Sequence, residues 1–516
     1  MNEKAKFYIK LLAPVAFGLV MFFLPRFWGV SAPSGCSVNA WLYLSIFMGL
    51  IVGLILEPIP PAFIGVIAIV VAVIFRLGPK GSGTDDAVTK AGDAINWGLS
   101  GFSNAVVWLI FAAFTIGLGF AKTGLGERIA LWLVSKLGKS TLGLGYAISI
   151  IDLILAPFIP SNAARSGGSV YPIVTNIASM FDSHPDKNPR KIGAYLVWVG
   201  LASACVSSSI FLTGQAPNPL ALTQIEKGSG QVVDWMSWFL AFLPVGVILF
   251  IITPLLAYFI YPPEVKGSSE VVSWAQEKYK ALGAITKPQI YMVGVAAVGL
   301  VLWVGASFFP KTALYNLNAT TTALLMIVLM VAAKVITWQD FLGNKPAWNT
   351  LVWFATLVAM AGGLSNVGFI DWLAKFFNGM FDETSLLVAT IALTLVFSWL
   401  RYFFASGTAF VVAVMSVFIV MVQAAVQGAV QAGSLTEAQA VLEANKILLI
   451  LILPMGFMGI ITPYGTGCSP LWFGSHYIKG PQFFLLGGIF AIIYMAIFLL
   501  VGLPWIEFIT PYLSFH

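Results

Sequence analysis

The sequence predicts an all-α polytopic membrane protein of about eleven transmembrane helices plus two re-entrant helical hairpins, set in two inverted repeats. Three observations carry this reading. The chain is poor in charge, its apolar residues come in runs long enough to cross a bilayer, and its second half repeats the landmarks of its first.

Of 516 residues, 59% are hydrophobic and 9% charged, whereas a soluble domain carries roughly 25% charged residues. A chain this short of charge does not cover a water-facing surface. A bilayer span takes about 20 apolar residues. Runs near that length lie at 11–26, 41–56, 61–77, 104–121, 192–213, 236–260, 287–308, 319–336, 349–363, 447–464 and 482–505. Two further segments, 141–182 and 385–430, are double length, each broken at its middle by a polar Gly/Ser/Pro knot. Each reads as a hairpin that enters and leaves the membrane on one side. Phe23, Phe27, Trp28, Trp41 and Tyr43 gather at span ends, as interfacial aromatics do.

The net charge of +6 is explained by cytoplasmic loops, so no nucleic-acid partner is expected. With the N-terminus in the cytoplasm, 17 of the 27 Lys and Arg fall in inner segments, 8 in outer ones, and Arg165 and Arg401 in the hairpins. That bias predicts a cell-membrane protein with its N-terminus inside and its C-terminus outside. The 78–103 loop runs against it. Cys36, Cys205 and Cys468 are scattered, with no disulfide or metal spacing, and no cofactor is expected. The opening MNEKAKFYIK runs into an apolar stretch without a small-residue cleavage site, which predicts a retained first helix within 1–40.

The halves match at four landmarks. Asn104 and Trp108 recur as Asn349 and Trp353, and Gly124 as Gly368. The hairpin knots sit at Ser161 and Ser406, and each is followed by a span broken at Gly214–Pro219 or Gly465–Pro470. Every offset lies between 244 and 251, in one order. Five crossings separate Asn104 from Asn349, so the halves are inverted: 41–260 and 287–516, joined by a cytoplasmic linker at 261–286. Inverted repeats with helices broken at matching places point to a secondary transporter.

The breaks carry the chemistry. Pro157 and Pro160 stop the incoming arm of the first hairpin, and Ser161 caps the outgoing one. Ser406 does the same in the second. Each knot thus offers a helix N-terminus at membrane depth, which suits a carboxylate, and two such ends suit a molecule with two. Ser161, Asn162, Ser406 and Thr408 add donors. The broken spans add Gly214, Gln215, Asn218, Gly465 and Thr466, with carbonyls suited to a cation and side chains that donate to substrate. Arg165 and Arg401 lie near the knots. A cation there is costly and serves a pathway or a partner, and Arg binds carboxylate through two parallel bonds. Asp152 is a candidate counter-ion, and His476 is expected at the cytoplasmic mouth. The stretches 126–139 and 368–380 read as interfacial amphipathic helices. No Walker loop, HExxH or membrane aspartyl pair appears, so no enzyme activity is expected.

PSNAARSGG, FASGTA, GQAPNP and ITPYGTG, in these matched sets, resemble the divalent anion/sodium symporter family over nearly the whole chain. That family's hairpin tips carry Ser-Asn-Thr motifs for substrate carboxylates and sodium. The matching triplets here are Ser161-Asn162-Ala163 and Ser406-Gly407-Thr408, each differing at one position. Arg165 and Gly407 resemble the exchanger branch, which includes 2-oxoglutarate/malate translocators and citrate/succinate antiporters. The resemblance implies a homodimer in the lipid bilayer, interleaved scaffold and transport domains, an elevator movement, and exchange of 2-oxoglutarate, malate, succinate or fumarate. Sodium-coupled symport and an anion channel are the alternatives. The fixed cations, Arg165 and with it Arg401, are expected to enforce exchange: they cannot leave as sodium does, so an empty site carries their charge across the bilayer.

Overall fold

The computed structural model describes residues 3–229, 233–308, 317–377, 379–381, 384–513 and 515. Lys311, and Asn378 within the 368–380 stretch, lie outside the described residues. Helix α1 (Glu3–Phe23) precedes a first run of elements: α2 (Val38–Leu56), α3 (Pro61–Ile74), α4 (Ala91–Leu99), α5 (Ala105–Thr123) and α6 (Leu125–Leu137). The run continues with α7 (Thr141–Leu155), α8 (Asn162–Arg165), α9 (Tyr171–Met180), α10 (Gly193–Ile210), α11 (Pro217–Ser229) and α12 (Trp235–Ile260). A π-helical turn, Ser166–Val170, joins α8 to α9. The linker holds α13 (Ser269–Ala281). There follow α14 (Lys287–Phe308), α15 (Ala319–Ala332), α16 (Trp338–Leu342), α17 (Lys345–Asn366), α18 (Phe369–Phe377) and α19 (Leu386–Leu400). The chain closes with α20 (Gly407–Gln431), α21 (Glu437–Ile452), α22 (Ser469–Gly474), α23 (Gly480–Ile497) and α24 (Leu503–Ile509). No strand occurs among the described residues, only two isolated bridges.

In lipid no water relieves the free N–H groups of a helix start, so several helices begin on side chains that do. Ser37, Asn104, Ser140, Asp234, Asn318 and Ser385 each accept a backbone N–H at the head of a helix. Asn349 departs from its sequence partner. Asn104 is a cap, whereas Asn349 lies inside α17, which starts four residues earlier at Lys345. Gly124 and Gly368 keep their match: each follows a long helix in the left-handed conformation, at φ 66° and 78°.

Among the described residues, eleven helices are long and apolar enough to cross a membrane. The number agrees with expectation, but the membership differs. The spans expected at 61–77 and 319–336 are α3 and α15, each 14 residues long, or about 21 Å against a hydrocarbon core of about 30 Å. Both stop where the chain turns through a left-handed residue, Arg76 (φ 57°) and Lys334 (φ 56°). The two arms of the second hairpin, 386–403 and 407–431, make up the number.

Other expectations need correction. The 78–103 loop contains α4, whose Trp97 covers Gly78. The last broken span starts at Glu437, not near 447, on a Thr436–Gln439 capping box. Lys446, expected in an outer loop, is therefore inside α21 and pairs with Glu443 (2.7 Å) and with Glu507 of α24 (2.6 Å). Trp41 and Tyr43 are buried, and the Tyr43 hydroxyl donates to the Met360 carbonyl of α17 (2.7 Å). Phe23, Phe27 and Trp28 are exposed, at 48%, 81% and 73%, as a belt requires.

The linker is docked rather than free. Thr141 donates to the Val265 carbonyl (2.6 Å) and Ser268 to that of Gly138 (2.7 Å). Arg128 of α6 reaches the carbonyls of Leu282, Gly283 and Ala284 just beyond α13. At the centre stands α10, every residue of which is buried, packed against α7, α9 and α12. Its C-terminal end delivers three consecutive serines to the two breaks.

Candidate functional site

Both knots form as the sequence requires. The Ser161 hydroxyl accepts the Ala164 N–H (3.2 Å) and starts the 162–180 helix; the Ser406 hydroxyl accepts the Ala409 N–H (3.4 Å) and starts α20. Neither N-terminus is remote from the broken spans. Asn162 is buried and its amide donates to the Thr466 hydroxyl in the second break. Gly467 lies against Asn162 and Ala163, and with Ala164 it is exposed. The first tip therefore borders an open surface with the second break as its other wall.

The two arginines turn to the matched glycines of the breaks. Arg165 Nη1 donates to the Gly214 carbonyl and Arg401 Nη2 to the Gly465 carbonyl, both at 2.6 Å. Beyond this shared contact they differ. Arg165 is fully occupied by protein. Its Nη1 also donates to Ile159 O (2.6 Å), its Nη2 to the hydroxyls of Ser207 (3.3 Å) and Ser208 (3.2 Å), and its Nε to Asp152 (3.3 Å). Asp152 is buried and also accepts from Ser207. Arg165 is thus a neutralised tie between the first tip, α7, the end of α10 and the first break.

Arg401 is also buried, yet its Nε and Nη1 have no hydrogen-bond partner, and no carboxylate pairs with it among the described residues. Its guanidinium lies against Gly407, where a Cβ would come within 2.6 Å of Nη1, and 5.8 Å from the Phe410 ring centroid. Gly407 is what lets the cation reach the N-terminus of α20. Two unmet donors on a buried cation beside a helix N-terminus have the chemistry to take an anion. Arg165 is answered by a buried carboxylate, whereas Arg401 is not.

The remaining predicted residues divide in the same way. Gln215 donates to Asn218 (2.8 Å), and the Asn218 amide turns to the carbonyls of Ser208 (2.8 Å) and Phe211 (3.2 Å). Both brace the first break and are not directed at an open site. Thr408 is buried at the second tip with no hydrogen bond to its hydroxyl among the described residues. Buried hydroxyls of Thr462 and Ser469 are likewise unpartnered. His476 is exposed, outside this cluster. Sequence reasoning passed over Ser207, Ser208 and Ser209. The Ser209 hydroxyl donates to Leu453 O (2.8 Å) and accepts from Phe457 N–H (3.0 Å), tying α10 to the second broken span. Their signal was legible as a triple serine closing an otherwise apolar span.

The model of the sodium:sulfate symporter transmembrane region matches residues 5–511. The chain belongs to this family. Family members similar to it include the citrate/succinate antiporter of Escherichia coli K12, 42% identical over 96% of this chain and 97% of that protein. The L-tartrate/succinate antiporter of the same strain is 38% identical over 96% and 97%. Among solved structures, the YdaH transporter of Alcanivorax borkumensis aligns with a TM-score of 0.53 at 12% identity, covering 88% of this chain and all of that one. That likeness concerns the fold. The family is described by a symporter, whereas these two relatives are named as antiporters.

If each hairpin tip receives a carboxylate, Asn162→Ala at the first and Thr408→Ala at the second each remove one donor, for about 1.5–3 kcal/mol. Titration of purified protein with succinate is expected to show affinity falling roughly tenfold or more for each. Unchanged affinity in both would move the site elsewhere.

Proposed function

We propose that the protein exchanges C4–C5 dicarboxylates such as succinate, malate, fumarate or 2-oxoglutarate across the cell membrane by sodium-independent antiport. One observation carries the reading: a guanidinium takes the glycine carbonyl at each break, Gly214 by Arg165 and Gly465 by Arg401. Carriers with broken helices offer such carbonyls to a coupling cation. Here a fixed cation uses them. Similarity to proteins named for exchange of citrate, tartrate and succinate supports the same conclusion.

The recurrence of one element order from α2 to α12 and from α14 to α23, around two breaks, supports inverted repeats at 41–260 and 287–516 about the 261–286 linker. On this reading the tips and breaks ride together on a transport unit that changes sides as an elevator, within a homodimer, with the N-terminus cytoplasmic and the C-terminus outside. Proteoliposomes loaded with succinate are expected to take up labelled dicarboxylate without sodium, and empty ones are not. Uptake into empty vesicles driven by an inward sodium gradient would overturn antiport. Non-saturating currents that follow the anion gradient would indicate a channel.

A further inference from the structure

Two groups of helices meet along α17. On one side, α17 is locked to the helices of the first run: Gly101 lies so close to the Ala355 carbonyl that a Cβ would stand 1.8 Å from it, and Tyr43 of α2 bonds Met360 O. On the other side, α11 and α20 are stitched to each other. Gln224 donates to Val411 O (3.3 Å), Ser416 to Gln224 (3.4 Å) and Gln423 to Gly228 O (3.1 Å). The pair α11–α20 carries the first break at one head and the second tip at the other. A cation crosses the seam. Lys227, in the last turn of α11, donates from Nζ to the Val358 carbonyl in the interior of α17 (2.6 Å). Its ammonium fits there because residue 362 is glycine: a Cβ on Gly362 would meet Nζ at 2.8 Å.

We propose that Lys227 is a positioning residue, a latch that holds the α11–α20 pair against α17 in this conformation and sets the rate of exchange without touching substrate. The inference rests on the transport-unit reading above. A charge-assisted bond to a main-chain carbonyl is strong for a single contact, and any sliding of α11 along α17 must break it. Beside it is a cavity of about 210 Å³, lined by Lys227, Gln224, Ser365, Asp371, Ser416 and Gln423. This polar space lets the released ammonium keep solvation and hydrogen bonds, so release is costly but not prohibitive. The bond therefore acts as a detent: it deepens one resting state without blocking departure from it.

Lys227→Met removes the bond, while Gly362→Ala keeps the charge and pushes the ammonium off its carbonyl. Alanine also favours the helix over glycine, so α17 is not put at risk. Both variants are expected to raise maximal succinate exchange in proteoliposomes by about three- to tenfold with little change in KM. The double variant is expected to do no more than either single one, because both remove the same contact. A second readout needs no transport. With Cys36→Ser as background, cysteines at Ser365 and Ser416, which line the cavity from α17 and α20, are cross-linked with a short bis-maleimide. Yield is expected to fall severalfold in Lys227→Met and in Gly362→Ala. Wild-type rate and wild-type cross-linking in both variants would overturn the latch. A fall in cross-linking in a protein that carries no dicarboxylate would uphold it and refute the substrate assignment instead.

Discussion

Replacing Arg401 with glutamine is expected to weaken dicarboxylate binding by about ten- to a hundredfold, the value of roughly 1.5–3 kcal/mol for a lost charge-assisted hydrogen bond. Arg401 offers two unmet donors, Nε and Nη1, inside the protein and against the N-terminus of α20. Lysine at this position is expected to restore little, since a point charge lacks the planar fork that grips a carboxylate. Binding of succinate to purified protein decides it; full affinity in Arg401→Gln would remove this residue from the site.

The same substitution has a second expected consequence. A helix N-terminus carries about half a positive charge, so two tips and one free guanidinium offer about two, which a dicarboxylate cancels. On the proposed elevator movement, an empty site crosses a low-dielectric zone charged, and each 1.4 kcal/mol of added barrier slows that return about tenfold. This favours exchange over net transport. In Arg401→Gln the empty site carries less charge, and net uptake is expected to rise relative to exchange in whatever transport remains. Arg165 does not share in this, because Asp152 travels with it as a bound counter-charge.

Breaking the Arg165–Asp152 pair is expected to cost stability before it costs affinity. Both side chains are almost completely buried, at 0% and 2% exposure. Removing one partner of a buried ion pair leaves an uncompensated charge, at about 3–5 kcal/mol. Asp152→Asn and Arg165→Gln should each lower the melting temperature clearly in detergent. The double variant should lose less than the sum of the two, since it strands neither charge. If Asp152→Asn melted like wild type and Arg165→Gln lost only substrate affinity, Arg165 would be a substrate ligand after all.

The sequence by itself determined the membrane class, because a chain with 9% charged residues has no means of covering a soluble surface. It determined the hairpin tips too. Pro157 and Pro160 cannot continue a helix and Ser161 can cap one, and these are local rules that the structure obeys at Ser161 and Ser406. Helix limits set by later contacts were less legible. The apolar run after Pro61 gave no sign that the helix stops at Ile74, and Lys446 looked like loop because its partner Glu507 lies 61 residues away. Only the tertiary structure decided between the two arginines. Each sits near a tip and each meets the carbonyl of a matched glycine, so local pattern gives them equal standing. What separates them is Asp152 with Ser207 and Ser208, brought to Arg165 by the packing of α7 and α10 and absent from Arg401. Whether a buried charge is answered is a property of the three-dimensional neighbourhood, which sequence spacing does not carry.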